Sequence, residues 1–183
     1  MHLVSLVILA GWVAFWIYWF AAARGMRAGR ARWGSFAGAR VVLLLLILLL
    51  AHARVFKGHQ AVTSDPWLWA VGLVLFACGL ALAVWARIYL GRNWGTPMSQ
   101  KVDPELVTSG PYRRVRHPIY SGIILAMVGT AVAISWYWPV AVGVSGAYFI
   151  YSATAEERYM TKLFPDAYPA FKRSTKMLIP FVF

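Results

Sequence analysis

Apolar residues in this chain do not alternate with polar ones. They run in long unbroken stretches separated by short basic segments. Residues 3–23 supply about 20 apolar positions, enough to cross the ~30 Å hydrocarbon core of a bilayer. No basic segment precedes them and further stretches follow, so they are expected to form a retained helix and not a cleaved signal. A second stretch, 37–54, is a leucine run closed by His52 and Arg54, and it reaches spanning length if the stem of Arg54 snorkels. The third, 67–86, opens after Asp65-Pro66 and closes at Arg87; Pro66 fits the first turn of a helix, where its missing N–H costs nothing. From Pro118 to Ala155 there are 38 positions without a charge. That is too long for one span and right for two, 119–135 and 138–155, folded back at Trp136-Tyr137-Trp138-Pro139. Glycines 122, 129, 143 and 146 would let these arms or their neighbours pack closely. The pattern predicts an all-α polytopic membrane protein, one integral domain over 1–183 with about five transmembrane helices. The last two form a helical hairpin, and the polar segments are 88–118 and the C-terminal tail 156–183.

The basic residues set the orientation. Residues 24–40 carry five arginines and no acid, residues 87–116 carry six Lys/Arg, and the tail after the fifth span carries five. The other side holds only Arg54 and Lys57. This asymmetry puts the N-terminus outside and the C-terminus in the cytoplasm, and a bacterial inner (cell) membrane is the expected location. Composition agrees: 61% of residues are hydrophobic and 13% charged, against about a quarter charged in soluble domains. The net charge of +12 would suit nucleic acid, but the charges sit in the gaps between apolar runs, where anionic lipid headgroups lie. Membrane lipids are therefore the expected partners, and nucleic acid is not. Cys78, the single cysteine, lies inside an apolar run, which excludes disulfides. The histidines have no metal-like spacing with other donors, so no metal site is read.

Two polar clusters remain once the spans are set aside. One runs from Leu106 to Gly122 and contains Gly110-Pro111-Tyr112-Arg113-Arg114-Val115-Arg116-His117-Pro118; the other is Glu156-Glu157-Arg158-Tyr159. A hairpin brings its two ends together, so Arg116-His117 should face Glu156-Glu157. Such a place suits a zwitterion. The N-terminal end of the fourth span at Pro118 favours a carboxylate, Arg116 and His117 add donors, and Glu156 or Glu157 could hold an ammonium or ribose hydroxyls. Gly122 would leave room for a ligand, and Tyr112 and Tyr120 would wall the pocket. An Arg–Glu pair at helix ends is also an ordinary structural device. The chain has only six acids, however, and two of them stand side by side here. Arg113 and Arg114 read as headgroup contacts.

The string Gly110-Pro111-Tyr112-x-x-x-Arg116-His117-Pro118-x-Tyr120-x-Gly122, an apolar hairpin, and then Glu156-Glu157 resembles the isoprenylcysteine carboxyl methyltransferase family, grouped with the membrane phospholipid methyltransferases. Leu90-Gly91-Arg92-Asn93-Trp94 and Phe164-x-x-x-Tyr168-x-x-Phe171 also look like that family's pattern, so the resemblance covers roughly residues 85–183. It implies a cytoplasmic S-adenosyl-L-methionine pocket contacted by Tyr112, Arg116, His117, Pro118, Tyr120, Gly122, Glu156 and Glu157 and closed by the tail. A lipophilic or lipidated acceptor, a prenylcysteine-like carboxylate or a lipid headgroup, would enter from the membrane. Methyl transfer depends on positioning and exclusion of water more than on acid–base groups. Arg92 or Arg116 would hold a carboxylate acceptor, and Glu157 would take a proton from an amine. The rivals are a nicotinamide-dependent membrane reductase of related fold, with Arg113-Arg114 on a second phosphate, and a non-catalytic membrane scaffold.

Overall fold

The computed structural model describes residues 3–23, 29–30, 65–93, 100–101, 105–134 and 138–183. Among the described residues there are five α-helices: α1 (Leu3–Ala23), α2 (Pro66–Leu90), α3 (Pro118–Ile134), α4 (Trp138–Leu163) and α5 (Ala167–Ser174). Short 3-10 turns lie at Gly91–Asn93 and Gly110–Arg113. The extended structure among the described residues is a two-residue antiparallel ladder pairing Gly29 with Lys101 and Arg30 with Gln100, plus the bridge described below. The ladder joins Gly29–Arg30, beyond α1, to Gln100–Lys101, beyond α2. The expected span at 37–54 and the Trp136-Tyr137 turn lie outside the described residues.

Among the described residues, α1 and α2 are long and apolar enough to cross a membrane, and α3 is a shorter apolar helix. Leu9, Ile17 and Phe20 on α1, and Val74 and Ile88 on α2, present their side chains outward. A continuous apolar exterior of this kind needs lipid or a partner around it.

Helix α2 starts where the sequence places it. Asp65 caps it by accepting from the Trp67 N–H at 2.9 Å, and Pro66 takes the first turn. It ends four residues beyond the expected 86. The Arg87 guanidinium does not leave for water but donates to the carbonyls of Ala22 (2.8 Å) and Gly91 (2.7 Å), which keeps the last turn wound. Gly91 then stops the helix at φ +52, a conformation that glycine adopts without strain. Helix α4 likewise runs past the expected 155 to Leu163, so Glu156 and Glu157 sit inside a continuous helix and not at its end.

Small residues set the packing. Gly72 and Gly79 of α2 lie against Gly122, Ala126, Gly129 and Ala133 of α3, and the pairing order makes the two helices antiparallel. A Cβ on Gly72 would stand 2.6 Å from the Ala133 Cβ, and one on Gly122 would stand 2.6 Å from the Ala83 nitrogen. The backbones therefore touch, the close approach that small residues permit in apolar bundles. Helix α1 runs parallel to α2. Its Gly11 covers the Phe76 ring, and its C-terminal end meets Arg87. The end of α1 and the start of α2 thus lie at opposite ends of the bundle. Trp12 of α1 donates its indole N–H to the Thr130 hydroxyl of α3 at 3.1 Å, which satisfies the one polar group of each in an apolar seam.

The tail returns to the start of α3. After α5, the chain runs alongside residues 114–117, with Val115 bridged in parallel to Lys176. The N–H groups of Arg116 and His117 donate to the carbonyls of Lys176 (2.8 Å) and Met177 (3.1 Å), and the Lys176 N–H donates back to Arg114 (3.1 Å). The Ser121 hydroxyl fixes the next residue by donating to the Leu178 carbonyl at 2.5 Å.

Candidate functional site

The hairpin of α3 and α4 delivers the convergence its sequence predicts. Arg116 Nε lies 2.6 Å from Glu157 Oε1, with 7% and 3% of the two side chains exposed. His117 stands between the two acids, its Nδ1 3.6 Å from Glu156 Oε2 and its Nε2 3.5 Å from Glu157 Oε1. These are ion-pair distances longer than a good hydrogen bond, and the buried Nε2 has no hydrogen-bond partner. The Tyr120 hydroxyl donates to Glu156 Oε1 at 2.5 Å, and its ring stacks on His117 at 5.5 Å and leans on Phe149 at 4.8 Å. Neighbouring residues on a helix point about 100° apart, so Glu156 and Glu157 reach His117 from two directions.

Two tail groups complete the cluster. Lys172 Nζ lies 2.7 Å from Glu157 Oε2 with half its side chain exposed. Arg116 Nη1 donates to the Thr175 carbonyl at 2.5 Å. Sequence reasoning placed neither at the site. Lys172 carried one signal, since it follows Tyr168 by one helical turn on the same face of α5. The Thr175 carbonyl carried none, because a backbone oxygen is common to every residue.

The electrostatics follow from this arrangement. Burial pushes the Glu157 carboxyl up, but the cationic groups of His117, Lys172 and Arg116 gathered round it outweigh burial and hold the group down at about 2. Burial alone would favour a neutral His117; the carboxylates of Glu156 and Glu157 prevail and raise its pKa. Tyr112 and Tyr168 are pushed up by burial and then by the nearby acids, so both phenols stay protonated.

The remaining expected residues fall as follows. Tyr112 is buried in the turn that Gly110 opens at φ +59, where a Cβ would strike the Tyr89 ring. Pro118 begins α3 and lines a separate groove, away from the acids. Gly122 corrects an expectation: α2 fills the space beside it, so its missing side chain serves helix packing and leaves no ligand room there. The backbone of Arg92 lies in the turn after α2, and its side chain falls outside what is described. Beside it, Asn93 is buried and donates to Glu105 Oε2 at 3.0 Å, tying down the segment that leads back to the site.

The sequence model of the phospholipid methyltransferase family matches residues 67–167, which hold α2, α3, the Arg116–Glu157 cluster and the start of α5. The chain belongs to the phospholipid methyltransferase family. Protein-S-isoprenylcysteine O-methyltransferase B of Arabidopsis thaliana is 27% identical over 146 residues, 76% of this chain and 73% of that protein. Steroid 5-alpha-reductase DET2 of Solanum lycopersicum is 28% identical over 131 residues, 66% of this chain and 46% of that protein. In fold, this family member is similar to the solved eukaryotic intramembrane Ras methyltransferase, isoprenylcysteine carboxyl methyltransferase. The TM-score is 0.57 at 22% identity, over 85% of this chain and 55% of that one. The chain spans about half the length of the latter two proteins.

Proposed function

We propose that this family member is an S-adenosyl-L-methionine-dependent membrane methyltransferase that acts on a lipophilic acceptor at the cytoplasmic face, with its N-terminus outside and about five spans. The meeting of Arg116 and His117 with Glu156 and Glu157 across the α3–α4 hairpin carries the reading. The cofactor, when bound, supplies an activated methyl group on a sulfonium. The residues present fit its zwitterionic end. Lys172 already sets one ammonium on Glu157 Oε2, and its exposed, flexible stem lets it yield that place to a ligand's ammonium. The buried His117 Nε2 makes no close hydrogen bond, its nearest acid atom being Glu157 Oε1 at 3.5 Å, so it has capacity to engage a ligand group. Tyr112 and Tyr120 wall the site, and the tail ladder excludes water from it.

The acceptor class follows from the same geometry. A carboxyl group held at about 2 is a weak base near neutral pH, so Glu157 suits holding a cation better than taking a proton from an amine. This favours an acceptor that arrives already ionised, a carboxylate on a prenyl-like chain, and the Arabidopsis relative is named as an isoprenylcysteine O-methyltransferase. Arg92 remains the basic residue proposed to orient it, because Arg116 is committed to Glu157 and to the Thr175 carbonyl. The likeness to a steroid reductase supports the rival reading, a nicotinamide-dependent reductase. Calorimetric titration of the detergent-purified protein with S-adenosylhomocysteine and with NADPH separates them. Binding of the former alone is expected; binding of NADPH alone would favour the reductase, and binding of neither a scaffold.

A further inference from the structure

A groove of about 470 Å³ opens on the outer side of the bundle, between α2, the Gly110 turn, the start of α3 and the tail. Its walls are Leu82, Trp85, Val115, Pro118 and Leu178, and Arg113 and Arg114 stand at its rim. Of the residues expected at the cofactor only Pro118 lines it, and none of the ion cluster does. Val115 lines the groove together with Arg113 and Arg114, whereas the side chain of the next residue, Arg116, is turned to Glu157. The tail pairs with residues 114–117 through Lys176 and Met177 and lends Leu178 to the groove.

We infer that this groove holds an acyl chain of an anionic phospholipid, with the headgroup phosphate on Arg113 and Arg114. Three observations identify the occupant. The volume falls among small-molecule sites, roughly 300–1,000 Å³, and takes one chain segment. The groove lies beside the outward apolar face of α2, where Trp85 and Ile88 are exposed, so a lipid reaches it from the membrane without crossing water. Both arginines are exposed and neither has a carboxylate partner among the described residues, so the rim offers two unneutralised cations beside an apolar slot. Planar guanidinium pairs match phosphate oxygens well. The groove is distinct from the ion cluster, because none of Arg116, His117, Glu156 and Glu157 lines it.

Occupancy has a structural consequence. Val115 and Leu178 form the wall shared with the ladder, so a bound chain braces the segment that gives Arg116 its tail contacts. Anionic lipid should therefore stabilise the closed tail.

The test needs only the membrane placement and not methyl transfer, so it succeeds or fails apart from the proposed function. The full chain in neutral detergent is titrated with phosphatidylglycerol and with phosphatidylcholine of the same acyl length, and retained lipid is counted by native mass spectrometry. Phosphatidylglycerol should be retained preferentially, by roughly thirtyfold for two basic contacts, and should raise Tm. Arg113→Gln/Arg114→Gln should abolish the preference while leaving the lipid-free Tm and S-adenosylhomocysteine binding unchanged. Trp85→Gln, at the exposed wall, should weaken retention of both lipids. Equal retention of the two lipids by the wild type would overturn the proposal, as would a preference that survives in the double variant. So would competition by chain-free glycerophosphoglycerol as effective as that of the intact lipid, or displacement by farnesol, which would assign the groove to an uncharged chain.

Discussion

Arg116 and Glu157 are 41 residues apart in sequence and 2.6 Å apart in space, joined Nε to Oε1 with both side chains nearly buried. The pair closes the open end of the α3–α4 hairpin. It is also the point to which the tail is tied, through the Thr175 carbonyl on the guanidinium and Lys172 on the carboxylate. One carboxylate therefore holds three segments of chain together at the site where a zwitterion would bind.

Replacing Glu157 by Gln keeps the shape and removes charge-assisted hydrogen bonds worth roughly 1.5–3 kcal/mol each. S-adenosylhomocysteine binding should weaken about tenfold or more, since each 1.4 kcal/mol is a factor of ten. Tm should fall as well, because Arg116 is left buried opposite a neutral amide. Glu156→Gln should spare stability more, as that side chain is 29% exposed and has lost less hydration. His117→Ala should weaken binding like Glu157→Gln, while Arg113→Ala should leave it unchanged. Calorimetry beside thermal melts separates the readings: affinity that drops only in proportion to unfolded protein would mean that the pair is structural alone.

The tail makes a second test. Deleting residues 175–183 removes the Thr175 carbonyl, one of two that accept from the Arg116 guanidinium, and the carbonyls that accept from the Arg116 and His117 N–H groups and the Ser121 hydroxyl. Buried donors without partners are costly, about 1–3 kcal/mol each. Both Tm and affinity for S-adenosylhomocysteine should fall. A truncated protein that melts and binds like the full chain would show that the ladder closes nothing.

Much of this was legible in the chain because two strong signals coincide. Uninterrupted apolar runs mark helices by length, and Asp65-Pro66 marks the start of α2 to the residue. The hairpin reading placed Arg116-His117 opposite Glu156-Glu157 because a turn in a charge-free run of 38 residues leaves little choice. What stayed hidden depended on tertiary contacts. Arg87 looked like the end of a span, but it is helical and buried because α1 offers it the Ala22 carbonyl. Gly122 looked like a ligand space, and only the packed structure shows α2 filling it. The pairing of 114–117 with the tail joins segments about 60 residues apart through backbone atoms, for which no side-chain pattern exists.

The α2–α3 seam yields a third prediction. Gly122→Ala would put a methyl group 2.6 Å from the Ala83 nitrogen, which is backbone and cannot swing aside. Forcing the helices apart should cost about 1–3 kcal/mol. Tm in detergent should drop, whereas S-adenosylhomocysteine affinity measured well below Tm should change little, because the methyl faces α2 and not the ion cluster. Gly143→Ala, with open space around its Cβ position, is the matched control and should be neutral. A large loss of affinity in Gly122→Ala without a change in Tm would restore the ligand-space role for Gly122.

The last prediction concerns pH. Glu157 is held at about 2 against an ordinary 4.5, a depressed carboxyl, so the stability it contributes is fully present above about 4.5 and drains away as pH falls toward 2. His117 is raised above its ordinary 6.5, so its contribution is fully present below 6.5 and is lost as pH rises through its folded pKa. The two limbs leave one window, between about 4.5 and 6.5, in which the cluster stabilises the fold most. Melting temperatures taken across pH 3–9 in a neutral detergent should show the maximum there. Glu157→Gln should flatten the acid limb relative to wild type. It should only soften the alkaline one, because Glu156 still faces the imidazole Nδ1. His117→Gln should remove the alkaline limb and leave most of the acid one, since Arg116 and Lys172 continue to hold Glu157 ionised. Comparing each variant with wild type cancels the titrating groups that lie outside the cluster. An acid limb identical in wild type and Glu157→Gln would mean that the carboxylate is not held as its neighbours imply, and the binding role assigned to it would fall with that result.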